Sequence, residues 1–283
     1  MIIDKLSEES KKHDAVCVGL DTAYSYLPEY LKESDTSLCE KIFEFNRLII
    51  DATYDLCACY KLQIAYYEAM GLDGLKAYSQ TLKYIKKKGK ISVADIKRGD
   101  IAATAEQYAK AHFSGDFEAD IITLNAYMGE DAVSPFYEYF AAGKGAFIII
   151  KTSNESSADL QDVQTDSGKV FELKGALVSE WGSRFIGNSG FSAIGAVAGL
   201  TYPQEFETLR SIMPNTFFLI PGYGAQGGTG EDIGRFFRDG ICGVVNSSRG
   251  IIASHVKKNI NFGFEEEARR ALSAMKEDIK SWL

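Results

Sequence analysis

The stretch "ISVADIKRGDIAATAEQYAKAHF", residues 91–113, runs from an apolar segment through a polar turn into a helical pattern. A β-rich run that ends in charge and passes within a few residues into an amphipathic stretch is the sequence form of a strand followed by the helix that covers it. The same form recurs along the chain. Further β-rich segments lie at 15–21 ("AVCVGLD"), 57–64 ("CACYKLQI"), 120–126 ("DIITLNA"), 145–153 ("GAFIIIKTS"), 194–200 ("IGAVAGL"), 216–222 ("TFFLIPG") and 243–249 ("GVVNSSR"). Helical patterns separate them at 39–56, 75–88, 103–113, 169–185 and 230–240, and a last one closes the chain from 264 to 283. Over 37–56 the residues Ile42, Phe45, Leu48, Ile49 and Ala52 share one face at helical spacing.

Eight strand and helix units in 283 residues predict an α/β fold, a (β/α)8 barrel of the TIM-barrel type, as a single domain over residues 1–283. A doubly wound open sheet is the competing architecture, but no GxGxxG follows the first strand and no linker divides the chain. The segment around 153–194 is longer than one unit needs. It opens with "SNESSADLQDVQTDSG", a polar loop that reads either as a lid over a site or as a solvated insertion.

Thirty-one basic and thirty-nine acidic residues give a formal net charge of −8. Such a surface repels nucleic acid and anionic lipid, so neither is expected as a partner, and an anionic ligand has to be captured by a local site. The N-terminus, "MIIDKLSEESKKHD", lacks the apolar region of a secretion signal, and no run approaches the roughly 18 apolar residues of a membrane span; a cytoplasmic protein is expected. The five cysteines are read as reduced, unreactive thiols, and the three histidines, His13, His112 and His255, have no metal-ligand spacing.

In a (β/α)8 barrel the active site lies at the C-terminal ends of the strands. Polar residues gather there: Asp21 at strand one, Lys61 within strand two, Asp95 and Lys97 at strand three, Asn125 at strand four, Lys151 and Ser153 at strand five, Arg249 at strand eight. Asp95 and Lys97 are two apart and so project to one side of a strand, and Asp100 follows a short connection. A DxKxxD pattern alone suits a surface ion-pair ladder as well as a site; the apolar lead-in "ISVA" favours burial. The glycine-rich "PGYGAQGG" (221–228) and "NSSRG" (246–250) leave the last two strands, where barrels commonly bind phosphate through backbone N–H groups, and Arg249 can add a charged contact.

These motifs, in this order, resemble the orotidine 5'-monophosphate decarboxylase family, in its longer bacterial subgroup. The resemblance rests on "GLDT" (19–22), "YKLQIAYYE" (60–68), "ADIKRGDIAATA" (94–105), "DIITLNAYMGEDAVSPF" (120–136), "KTSN" (151–154), "PGYGAQGG" and "NSSRGI", and spans almost the whole chain. It implies a homodimeric barrel that converts orotidine 5'-monophosphate to uridine 5'-monophosphate and CO2 without metal or organic cofactor. By motif, Lys97 resembles the proton donor to C6, flanked by Asp95 and by Asp100 from the second subunit. Asp21, Lys61 and the second subunit's Thr104 resemble ribose contacts, with Lys61 also in the charged network. Ser153 resembles the pyrimidine contact, and Gln226 and Arg249 the phosphate ligands. One departure stands out: Glu155 and Ser156 occupy positions where the family pattern has Pro-Gly, which loosens a turn beside the base pocket. Alternative readings are Mg2+-dependent decarboxylation or aldol chemistry on a sugar phosphate, a Schiff-base aldolase, and a nucleotide sensor without turnover.

Overall fold

The computed structural model describes residues 1–199, 203–224 and 227–283. Strands β1 (Val16–Gly19), β2 (Cys59–Gln63), β3 (Ile91–Arg98), β4 (Ile121–Leu124) and β5 (Gly145–Lys151) are followed by a short hairpin, β6 (Gln164–Thr165) and β7 (Gly168–Lys169). Strands β8 (Ile194–Ala198), β9 (Phe218–Pro221) and β10 (Gly243–Ser247) complete the chain's β structure. All but the hairpin close into a parallel barrel in the order β1, β10, β9, β8, β5, β4, β3, β2. Seven of the eight segments expected to be strands contain a barrel strand whole, and the third, expected over 91–97, holds all of β3 but Arg98.

The side-chain period of two divides the strands between two cores. Val16, Val18, Tyr60, Leu62, Ala94 and Ile122 face outward and join one cluster with helix residues such as Ile42, Phe45, Ile49 and Phe264. Cys17, Cys59, Val93, Ile121, Phe147, Leu219 and Val244 face inward and fill the barrel. All five cysteines are buried and unpaired. The floor of the barrel is closed by a helix, Ile2–Lys12, whose Ile3 and Leu6 join the inner cluster and whose Ser10 hydroxyl donates to the carbonyl of Gly243 at 2.7 Å.

The expected helices over 39–56, 75–88, 103–113, 169–185, 230–240 and 264–283 are found as Leu38–Thr53, Gly71–Lys87, Ala102–Phe113, Val170–Gly182, Gly230–Phe236 and Phe264–Lys280. The first starts at a capping box, in which Ser37 accepts from the backbone N–H of Glu40 and Glu40 reaches back to Ser37. Its buried face also carries Asn46, which accepts from Thr22 at 2.7 Å and donates to Tyr67 at 2.9 Å and to Thr81 at 3.0 Å. Tyr67 in turn donates to the carbonyl of Leu20. This buried network fixes the end of β1, and therefore Asp21, against two helices.

Cutting Asn46 back leaves the Thr22 hydroxyl without its acceptor and removes the contacts to Tyr67 and Thr81. Asn46→Ala should destabilise the fold by about 2 to 4 kcal/mol in denaturant titration. A loss below about 1 kcal/mol would contradict the role given to this network.

Candidate active site

At the C-terminal rim, inward-facing positions change from apolar to charged. Lys61 stands two residues beyond Cys59 on the same side of β2, so its side chain rises through the barrel interior to the rim. It is only 4 % exposed. Its ammonium lies 3.0 Å from Asp21 Oδ1 and 3.1 Å from Asp95 Oδ2. Asp95 is buried as well, and its other oxygen takes the Lys97 ammonium at 2.6 Å and the Thr123 hydroxyl at 2.9 Å. Asp21, Lys61, Asp95 and Lys97 thus form one chain of alternating charge with no net charge.

Burial alone would disfavour the charged forms. It pushes the Asp95 carboxyl up, but Lys61 and then Lys97 outweigh it and hold the group down at about 2. Burial likewise lowers the Lys61 ammonium, and Asp21 and Asp95 reverse the effect and leave it raised. Lys61 and Asp95 therefore stay ionised across the neutral range.

Lys97 and Asp95 meet by a different route from simple strand alternation. The pairing of β3 with β4 shifts register between Ala94 and Arg98, and Lys97 adopts a left-handed backbone with φ 48°. A non-glycine residue there is strained. The bulge is held by Thr123, whose Oγ1 accepts from the Lys97 backbone N–H at 2.9 Å while donating to Asp95. Lys97 consequently stands at the rim with its side chain 45 % exposed and its ammonium held by Asp95, which stays buried below it.

Asp21, Lys61 and Asp95 line a cleft of about 300 Å³ together with Tyr26, Tyr66 and Arg249. Asp21 also accepts from the Ser248 hydroxyl at 2.7 Å and from the Gln63 backbone N–H at 3.2 Å. A Cβ on Gly19 would lie 1.8 Å from the Ser248 oxygen, so β1 needs glycine at its end for Ser248 to reach Asp21. Among the described residues the Arg249 guanidinium makes no side-chain hydrogen bond or ion pair, and it lines the cleft together with Gly222 as a cation open to an anionic group. Gln226 lies outside the described residues.

The other expected site residues are distributed differently. Ser153 ends the run after β5 and packs against Gly199, outside the cleft lining. Asp100 accepts from the next backbone N–H, that of Ile101, and Thr104 is exposed on the first turn of its helix; neither touches the charged array of its own chain. Asn125 is exposed and caps the backbone of Tyr127. Lys151 does not belong to the rim array: it is 1 % exposed and pairs with Asp162 at 2.7 Å. Thr123 and Ser248 are functional candidates that the residue types at strand ends do not single out. Thr123 reaches Asp95 and Lys97 across the register shift between β3 and β4, which no residue pattern in the sequence marks.

The fold and cleft define a barrel protein with a strand-end site of fixed charges suited to an anionic substrate. A family model described as Orotidine 5'-phosphate decarboxylase / HUMPS family matches residues 14–259. The chain is 53% identical over 282 residues to an orotidine 5'-phosphate decarboxylase of Clostridium kluyveri, covering 99% of this chain and 97% of the relative. It is 49% identical over 286 residues to that of Clostridium acetobutylicum, with both chains covered in full. The solved structure of Leishmania donovani OMP decarboxylase superposes with a TM-score of 0.77 at 27% identity, over 99% of this chain and 97% of that one. The chain belongs to the orotidine 5'-phosphate decarboxylase family, whose relatives named here are carboxy-lyases.

Because Asp95 is held below its ordinary value of 3.8, its stabilising contribution is present above that value and is lost as pH falls toward 2. The stability difference between wild type and Asp95→Asn should therefore shrink by about 2 kcal/mol between pH 6 and pH 2 in denaturant titration. A difference that stays constant over that range would show that the carboxylate is not held by the two lysines.

Proposed function

We propose that this enzyme decarboxylates orotidine 5'-monophosphate to uridine 5'-monophosphate, the last step of de novo uridine 5'-monophosphate synthesis, with Lys97 as the proton donor and with no metal or organic cofactor. The observation that carries the reading is the alternating array of Asp21, Lys61, Asp95 and Lys97 at the mouth of the barrel, with Lys61 and Asp95 buried at its centre.

In this reading the phosphate is met by Arg249, Gln226 and the glycine-rich turn, the ribose by Asp21 and Lys61, and the pyrimidine by Ser153. The orotate carboxylate then lies against Asp95. The bond from C6 to the carboxylate carbon breaks, CO2 leaves, and the electron pair remains at C6. Lys97 holds the developing negative charge and passes an ammonium proton to C6; water reprotonates the amine through its exposed side. Two like charges about 4 Å apart at an effective dielectric of about 20 repel by about 4 kcal/mol, roughly a thousandfold in rate if wholly relieved. Difficult reactions need up to about 23 kcal/mol, so repulsion at the carboxylate is the smaller contribution and stabilisation of charge at C6 the larger. A fixed cation at that position needs no reorganisation when the charge appears.

Asp100 and Thr104 act, in this reading, in the site of a second copy of the chain. Both lie away from their own cleft, and Ile101, Tyr127 and Met128 expose apolar surface on the two adjoining loops, where Gly99 meets Asn125. The same reading expects a homodimer with shared sites, working in the cytoplasm. Among the described residues no helix is long and apolar enough to cross a membrane.

Absorbance assays on EDTA-treated protein should show orotidine 5'-monophosphate consumption at the untreated rate. Lys97→Ala should lower kcat by about a thousandfold or more while uridine 5'-monophosphate still binds; near wild-type turnover by that variant would falsify the assignment. Mixing Lys97→Ala with Asp100→Ala should regenerate activity, since a mixed dimer has one site with both lesions and one with neither. Verified heterodimers that stay inactive would rule out shared sites.

A further inference from the structure

The segment that carries Ser153 has no residue that limits its own backbone: residues 152–167 contain neither proline nor glycine. Its conformation must be imposed from outside, and the structure shows how. The Gln161 side chain closes on Thr152 from both ends, with Oε1 accepting from the Thr152 backbone N–H at 2.9 Å and Nε2 donating to the Thr152 hydroxyl at 2.8 Å. That hydroxyl donates onward to Asn154 Oδ1 at 2.7 Å, so the residues on both sides of Ser153 are tied together. On the other face Gly199 abuts Ser153, where a Cβ would come within 2.9 Å of the Ser153 Cβ.

Gln161 is itself anchored. Its backbone N–H donates to the carbonyl of Ser157, and its carbonyl accepts from the N–H of Phe171. The next residue, Asp162, holds the buried Lys151 at 2.7 Å and Lys169 at 3.6 Å, and Glu205 lies 3.7 and 3.6 Å from the same two ammonium groups. Both ammonium groups also stand over the ring of Phe171, at 5.5 and 5.7 Å from its centroid. Two cations and two anions around one aromatic ring make a charge-balanced cluster. It pins the insertion to the end of β5 and to the helix Pro203–Ile212. The polar loop after strand five is thus tied down at Gln161 and Asp162, while residues 154–156, 158–160 and 163–164 are exposed to solvent.

We propose that Gln161 is a positioning residue for base recognition: it sets the 152–154 turn, and through it Ser153, while the cluster of Lys151, Asp162, Lys169 and Glu205 holds Gln161 in place. The inference rests on the reading of Ser153 as the pyrimidine contact. A turn held this way should govern affinity for the base and leave the phosphate and ribose contacts, on other strands, untouched.

The test compares binding of uridine 5'-monophosphate with that of ribose 5-phosphate, which lacks the base, by titration calorimetry on full-length wild type, Gln161→Leu, Gln161→Glu and Ser153→Ala. Gln161→Leu should cut the affinity ratio of the two ligands by about tenfold. Gln161→Glu keeps an acceptor for the Thr152 N–H and should recover part of the loss. Ser153→Ala should lower the ratio too. A lowered ratio in Ser153→Ala with no change in Gln161→Leu, or an equal loss of both ligands in Gln161→Leu, overturns the positioning role alone. An unchanged ratio in both variants overturns the base-facing reading of the turn and the inference with it.

Discussion

One ammonium shared between two carboxylates organises this molecule. Lys61 is buried at the mouth of the barrel, and a lone charge there would cost several kcal/mol. Asp21 and Asp95 supply the counter-charge from the strands on either side, at 3.0 and 3.1 Å. Asp95 then carries a second cation, Lys97, and Asp21 takes Ser248 from β10. Four barrel strands are therefore tied at the level where a substrate enters, and the position of each charged group is set by its neighbours rather than by its own rotamer preference.

The parallel barrel makes such an arrangement possible. Closure pairs each strand with a neighbour on both sides, so the inward side chains are the main variable, and the period of two stacks them in layers. Lower layers are apolar, closed beneath by Ile3 and Leu6. The uppermost layer is where water can still reach, and a catalytic charge placed there is desolvated on one side and accessible on the other. Lys97 sits at that boundary because β3 bulges; in a regular strand it would point into the packed interior like Asp95. The left-handed backbone at Lys97 is the local strain that this placement requires, and Thr123 holds it with one hydroxyl used as donor and acceptor.

Much of this was legible in the sequence because parallel strands buried on both faces are short apolar runs, and each one here ends in polar residues or glycine. The eight strands and the long amphipathic helices follow from that pattern, as does the convergence of Asp21, Lys61, Asp95 and Lys97. What escaped depends on contacts distant in sequence. The Ile2–Lys12 helix has the apolar spacing of Ile2, Ile3 and Leu6, yet its role as a floor exists only once the barrel has closed. Residues 154–169 have low hydrophobicity and read as solvated, because their order comes from ion pairs with Lys151 and Glu205 rather than from apolar burial. Lys151 for the same reason looked like a rim residue. The bulge at Lys97 gave no signal, since neither glycine nor proline marks it.

In the proposed reaction Lys97 stabilises negative charge at C6 and delivers the proton there. By microscopic reversibility the same group must remove that proton from the product, so hydrogen exchange at C6 of uridine 5'-monophosphate in D2O, followed by NMR, tests the claim without the decarboxylation step. The wild-type enzyme should exchange the C6 proton faster than buffer alone, and Lys97→Ala, with the nucleotide bound, should reduce exchange to the buffer rate. Exchange at the wild-type rate in Lys97→Ala would contradict the claim and move the proton donor elsewhere in the site.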